Sequence, residues 1–238
     1  MADIKTLSVI DKKILTPEDM ITVNYKGERK SVKAFIGLPK IYNLKTGELI
    51  AEEENLVVLD GREFMAQKVS SLANPEKDLR GYEIRYFGVG SGGADGTTTD
   101  DPQDDDTSLA DPKKISTTGI STSSNDYRYI DDGYLKRILS TDKDPSGDIQ
   151  IVKETHVINT DDGESTVEKY TTIKFTLILE ENEPASKPFT FNEMGLFAVK
   201  YDDDGNPTDN KIMVARFTTM DKNLGANDGL RVEWSVLV

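Results

Sequence analysis

The chain has 238 residues, 43 of them acidic and 29 basic, for a formal net charge of −14. That length suffices for one large β domain or two small ones with a real core. The absence of cysteine excludes thiolate catalysis, thiol redox switching and cysteine-based metal sites, and sets the chain apart from disulfide-dense secreted domains.

The opening MADIKTLSVIDKK lacks a basic stretch followed by an apolar one, and no run approaches the roughly 18 apolar residues of a membrane span. The expectation is a soluble chain with no membrane partner. Its acid excess repels phosphate backbones and argues against a nucleic-acid partner.

Residues 1–54 read as an N-terminal β-hairpin region. Ile21 to Tyr25 is β-branched, Lys26-Gly27-Glu28 supplies a turn and Ser31 to Leu38 extends again. A second turn falls at Lys45-Thr46-Gly47-Glu48, before Leu49-Ile50. A helix is expected from Asp60 to Leu72. Asp60 and Glu63 are spaced as a capping box, and Met65, Val69 and Leu72, with Phe64 beside them, fall on one face. Asn74-Pro75 should end it.

Tyr82 to Val89 reads as a strand that runs into Gly88, Gly90, Gly92, Gly93 and Gly96, a flexible exit. An acidic, Ser/Thr-rich insertion, about 91–147, then buries little and is expected to be a surface excursion, partly mobile unless a partner holds it. Within it, Tyr129, Ile130, Tyr134, Leu135, Ile138 and Leu139 supply apolar anchors, and Tyr134 to Leu139 fits a helical turn or two.

The last third is strand-rich. Ile149 to Ile158 and Val167 to Leu179 are joined by the hairpin signal Asp161-Asp162-Gly163. Phe189 to Val199, Ile212 to Phe217 and Leu230 to Val238 follow, the first two separated by a turn at Asp202 to Pro207. Trp234 alternates in phase with Val232, Val236 and Val238 and is placed in the core. The expected fold is mainly β. Residues 55–238 form an antiparallel β-sandwich with one short helix packed on a sheet and a long acidic loop insertion.

Candidate chemistry is thin. Paired carboxylates are found everywhere in so acidic a chain and single out no site. His156, the only histidine, lies in an alternating strand, so a triad or histidine-rich metal site has one candidate at most. GVGSGGADG lacks the Lys-Ser/Thr ending of a phosphate loop, and the turn at Asp202 to Asn206 misses the spacing of a calcium loop. No catalytic, cofactor-binding or metal-binding residue is assigned, and the chain is read as no enzyme.

The order of segments says more than any single motif. NLVVLDGREFMAQKV is followed by YEIRYFGVGSGG, the acidic excursion, TTIKFTLIL, FNEMGLFAV, IMVARFTT and RVEWSVLV. This order resembles a pattern of structural proteins in the tail, baseplate or neck and collar of tailed-bacteriophage virions, over about residues 55–98 and 170–238. The matching residues are Asn55, Gly61, Arg62, Gly88, Gly90, Asn192, Glu193, Gly195, Leu196, Phe197, Ala215, Arg216, Phe217 and Trp234. The resemblance implies architectural roles for them and no catalytic ones.

It further implies a multi-copy component of the virion, assembled in the bacterial host cytoplasm. Its partners would be other virion structural proteins and copies of itself in a cyclic assembly. The competing expectation is a receptor-binding, carbohydrate-binding or fibre-attachment module, with Tyr127, Tyr129 and Tyr134 as aromatic platforms, or a capsid decoration protein.

Overall fold

The structure is a computed structural model that describes residues 20–25, 28–33, 37–53, 55–116, 127–138, 148–159 and 165–237. Among the described residues, strands β1 (Met20–Tyr25) and β2 (Glu28–Lys33) pair only with each other, as an antiparallel two-stranded sheet.

A five-stranded antiparallel sheet has the order β10, β11, β14, β3, β4. Its strands are β3 (Gly37–Asn43), β4 (Leu49–Glu52), β10 (Asp148–Asn159), β11 (Ser165–Leu179) and β14 (Leu230–Leu237). Within the segment expected to form an N-terminal hairpin region, β3 thus pairs with the last strand of the chain and β4 with β3. The hairpin signal at Asp161-Asp162-Gly163 lies outside the described residues, but β10 and β11 pair in unbroken register on either side of it.

The second sheet has the order β5, β13, β12, β6, β9, β8. It comprises β5 (Leu56–Val57), β6 (Tyr82–Gly90), β8 (Tyr129–Ile130), β9 (Leu135–Arg137), β12 (Phe189–Tyr201) and β13 (Pro207–Leu224), with β7 (Pro112–Lys113) also on β6. The acidic insertion therefore supplies three strands, β7, β8 and β9, that continue the sheet beyond β6. The expected helical turn within Tyr134 to Leu139 is not formed. A three-residue 3-10 turn precedes it at Asp131–Gly133, and Leu135–Arg137 is extended because its backbone pairs with β6. Leu139 lies outside the described residues.

The two sheets pack face to face as the expected sandwich. Phe175, Leu177, Leu179, Val232, Trp234 and Val236 of the five-stranded sheet meet Phe87, Val89, Phe191, Met194, Leu196 and Phe217 of the other. Phe217 and Trp234 touch edge to face across the interface, with ring centroids 5.0 Å apart, a preferred geometry for aromatic pairs. Trp234 is fully buried. On the opposite face of the second sheet, Tyr86, Phe197, Val199 and Met213, extended by Ile130 of β8 and Leu135 of β9, form another apolar layer against Val58 and Leu109. The insertion thus widens that sheet and, through Leu109, covers part of its outer face.

The single long helix among the described residues, α1 (Leu59–Ser70), begins one residue earlier than expected and lacks the capping box. Its N-cap is Val58 and no side chain caps it. Asp60 is drawn instead to Lys77 at 2.6 Å, and Glu63 accepts hydrogen bonds from Gln67 and Asn74. Tertiary partners have outcompeted the local cap. The buried face is also rotated from the expected one. Phe64 and Met65 enter the core, whereas Val69 and Leu72 are 84% and 70% exposed. The reason lies at Gly61, where a Cβ would be driven into the carbonyl oxygen of Val214 on β13. The helix backbone rests on that strand at Gly61, and this contact sets its rotation. Ser71, in the left-handed conformation with φ of 58°, ends it before Asn74-Pro75.

Gly61→Ala is expected to cost about 1–3 kcal/mol by overpacking α1 against β13, whereas Val69→Lys, on the exposed side, stays within about 0.5 kcal/mol of the parent. Chemical denaturation of the two variants checks the helix orientation.

Candidate functional site

Two charged residues stand inside the apolar centres of neighbouring strands, Glu193 on β12 and Arg216 on β13. Glu193 is 0% and Arg216 2% exposed. Burying an ionised carboxylate costs several kcal/mol unless it is paired and fully hydrogen-bonded. Here it is both. Glu193 Oε2 accepts from Arg216 Nη2 at 2.7 Å, Arg216 Nε at 3.1 Å and the Ala110 backbone N–H at 3.1 Å. Its Oε1 accepts from the backbone N–H groups of Asp111 at 2.9 Å and Gly92 at 3.0 Å.

Arg216 uses its remaining side-chain nitrogen, Nη1, to reach Asp106 Oδ2 at 2.7 Å. Burial alone would lower its pKa, but the bonds to Asp106 and Glu193 raise it, so the guanidinium stays charged. Arg62, on the helix, adds a bond to Asp104 at 2.7 Å. Asn192 completes the arrangement. Its Oδ1 accepts from the Gly93 N–H at 2.7 Å and its Nδ2 donates to Asp221 Oδ1 at 2.8 Å.

The glycine-rich exit of β6 is therefore not a flexible one. A Cβ at Gly90 would collide with the Glu193 carboxylate, and one at Gly92 would lie 2.6 Å from the Ala110 Cβ. The glycines let two backbone segments close around one buried acid. Nor is residue range 91–116 a loosely held excursion, since it is bonded to Glu193, Arg216, Arg62 and Asn192 at successive points. Such charge-assisted bonds to a buried acid are the stronger kind.

The residues singled out from the sequence are largely brought together. Gly61 and Arg62 lie on the helix, and Gly88 pairs with Gly195 across β6 and β12. Leu109 packs over that glycine pair. Gly90, Asn192, Glu193 and Arg216 form the polar node itself. Leu196, Ala215, Phe217 and Trp234 belong to the main core and Phe197 to the second layer. Asn55 stands apart, its amide buried and without a hydrogen-bond partner among the described residues.

Sequence reasoning placed Asp104 and Asp106 in the surface excursion; Asp104 does stay 54% exposed, but the structural role of Asp106, 19% exposed against Arg216, was missed. The signal that points to a hidden counter-charge is the lone Arg216 within the apolar run IMVARFTT, matched by Glu193 in FNEMGLF.

A second buried pair was also missed. Lys136 on β9 lies 2.6 Å from Glu183, each side chain 4% exposed. Glu183 also accepts from the Tyr129 hydroxyl and from the Glu180 N–H at 2.9 Å. Tyr129 is thereby an anchor of the insertion, as is Tyr127, whose carbonyl accepts from the Tyr86 hydroxyl at 2.9 Å. Tyr134 lies under the Lys114 ammonium, 5.4 Å from its ring centre.

His156 lies on β10 opposite Glu168 of β11. The acidic turn after β12 is held by Asp202, whose Oδ1 accepts from the N–H groups of Asp204 and Asn206, and these bonds lower its pKa. No cluster of three or more His, Asp or Glu side chains placed to hold a metal occurs among the described residues.

The fold and the node define a two-sheet antiparallel β-sandwich with a charge-pinned insertion. Comparison with protein-family models, with curated proteins and with solved structures finds no match to this chain.

Arg216→Met, which leaves Glu193 buried without its counter-charge, is expected to destabilise the protein by about 3–5 kcal/mol. It should also speed hydrogen exchange at the amides of Gly92, Ala110 and Asp111. Asp105→Asn, at an exposed position, should change stability by less than about 0.5 kcal/mol.

A pH dependence follows from the buried phenols. Burial raises the pKa of Tyr86, and burial together with the bond to Glu183 raises that of Tyr129. Unfolded tyrosines ionise near pH ~10, so the stability these two groups contribute is complete below that pH. It falls as the pH climbs from there through the raised folded-state values. The urea midpoint is expected to drop as the pH rises above about 10, and to drop less steeply in a Tyr86→Phe, Tyr129→Phe double variant.

Proposed function

We propose that this chain is a structural component of a tailed-bacteriophage virion, present in several copies in the tail, baseplate or neck, where it makes protein–protein contacts. One observation carries the reading. Polar residues of the segment order that resembles such proteins, Asn192, Glu193 and Arg216, are buried at one place beside Gly90, where they bond to the segment that follows β6. Every one of those bonds is spent on holding the chain to itself. A buried charge network that positions a surface lobe on a sheet suits a part whose task is to present a fixed shape to neighbours.

The competing carbohydrate-platform reading loses support, because the Tyr129 hydroxyl is committed to Glu183 and the Tyr134 ring lies against the Lys114 ammonium. The first of these contacts, and the bond from the Tyr86 hydroxyl to the Tyr127 carbonyl, tie the insertion to its own domain.

The test is whether the chain is part of a particle. Tailed particles purified from a lysate of the bacterium carrying its gene are expected to contain its peptides in multiple copies by quantitative mass spectrometry. An antibody raised against the purified chain is expected to label the tail or neck in electron micrographs. Particles free of the chain would overturn the proposal.

A further inference from the structure

The five-stranded sheet ends on one side at β10, and among the described residues no strand pairs with its outer side. Natural proteins protect such edges with short strands, prolines, bulges or dense charge. β10 has few of these defences. It is 12 residues long, contains neither proline nor glycine, and runs opposite β11 without a bulge. By contrast, the pairings of β12 with β13, of β12 with β6 and of β3 with β4 all carry register shifts. In the first third of the strand Ile151 is 74% exposed.

The strand also outruns its own sheet. β14 pairs with β11 only from Thr172 onward, so among the described residues Ser165 to Thr171 is paired on one side alone, with Lys153 to Asn159 of β10. A two-stranded ribbon of that kind is at best marginally stable in water without a further strand or surface.

Charge decides what the further strand is. Two copies of a chain with net charge −14 repel wherever their acidic surfaces face each other. The β10–β11 ribbon is the exception. Its acids Asp148, Glu154 and Glu168 are balanced by its bases Lys153, Lys169 and Lys174. Apart from the connecting Asp161, Asp162 and Glu164, the two strands sum to zero formal charge on an acidic molecule, and like molecules meet along them without the general repulsion.

We infer that β10 pairs antiparallel with β10 of a second copy, joining two five-stranded sheets across a two-fold axis. This names the self-contact of the multi-copy component proposed above and rests on that reading. An isologous pair of edge strands is the simplest closed assembly a chain can make, and backbone hydrogen bonds supply its affinity, as in other strand additions.

The test uses the full chain and its freedom from cysteine. Light scattering of the wild type is expected to give at least twice the chain mass of 26.4 kDa. Ile151→Lys is expected to halve that mass with an unchanged thermal midpoint, whereas Val69→Lys, on the helix, leaves it intact. Single cysteines placed in turn at Ile149, Ile151 and Lys153 should yield a disulfide-linked dimer on mild oxidation at the position nearest the axis, and Val69→Cys should not.

An oligomer whose mass ignores Ile151→Lys and whose β10 cysteines fail to link would overturn the β10 contact while leaving the virion reading standing. A wild type that is monomeric at every concentration also overturns the self-pairing, and the composition of purified particles then decides the virion reading separately.

Discussion

The buried carboxylate of Glu193 is the constraint around which the rest of the second sheet is arranged. An acid at the centre of a sandwich is tolerable only if nearly all its lone pairs are met. Five N–H donors from Arg216, Gly92, Ala110 and Asp111 do so. None of these donors lies next to it in the chain. The acid can therefore be satisfied only when β12, β13 and the segment following β6 are all in place. That makes the node a statement about the whole sheet, and one that a missing partner would penalise heavily.

Arg216 extends the same logic to the surface. Once it is committed to Glu193, its third nitrogen points at Asp106, and the acidic segment is drawn down over the outer face of the sheet. Leu109 follows, onto the flat floor left by Gly88 and Gly195, and Ile130 and Leu135 close the same layer. A sheet apolar on both faces then has cover on both, which is why β12 is buried almost from end to end. The Lys136 to Glu183 pair pins the far side of that cover to the segment between β11 and β12. Charges thus lock the insertion where apolar area alone would leave its path open.

The distribution of charge links this architecture to the proposed role. Where acids have structural work, they are neutralised locally by Arg62, Arg216, Lys113 or Lys136. Asp100, Asp101 and Asp105 remain at the surface, where like charge discourages unplanned association. Against that background the balanced β10–β11 ribbon is a directed exception. A component meant to meet its own kind along one edge gains from repelling it along the others.

Much of the fold was legible from local pattern. Runs of β-forming residues marked β6 and β10 to β14, period-two alternation marked the burial of Trp234, and the turn residues at Asp202 to Pro207 marked the link between β12 and β13, because strand pattern and turn chemistry are properties of neighbouring residues. The pattern of Asn192, Glu193, Gly195 and Arg216 was legible as architectural, but not what it builds. Three features were decided only by tertiary structure. The face that α1 buries depends on a backbone contact between Gly61 and Val214, which no helical periodicity records. Asp60 and Glu63 had side-chain partners better than a cap. The acidic insertion became strands and a cover because Glu193 and Arg216 lie some 80 to 110 positions away in sequence. A composition that buries little area by itself is ordered there by two buried charges, and pairing of that kind exists only once the sheet has formed.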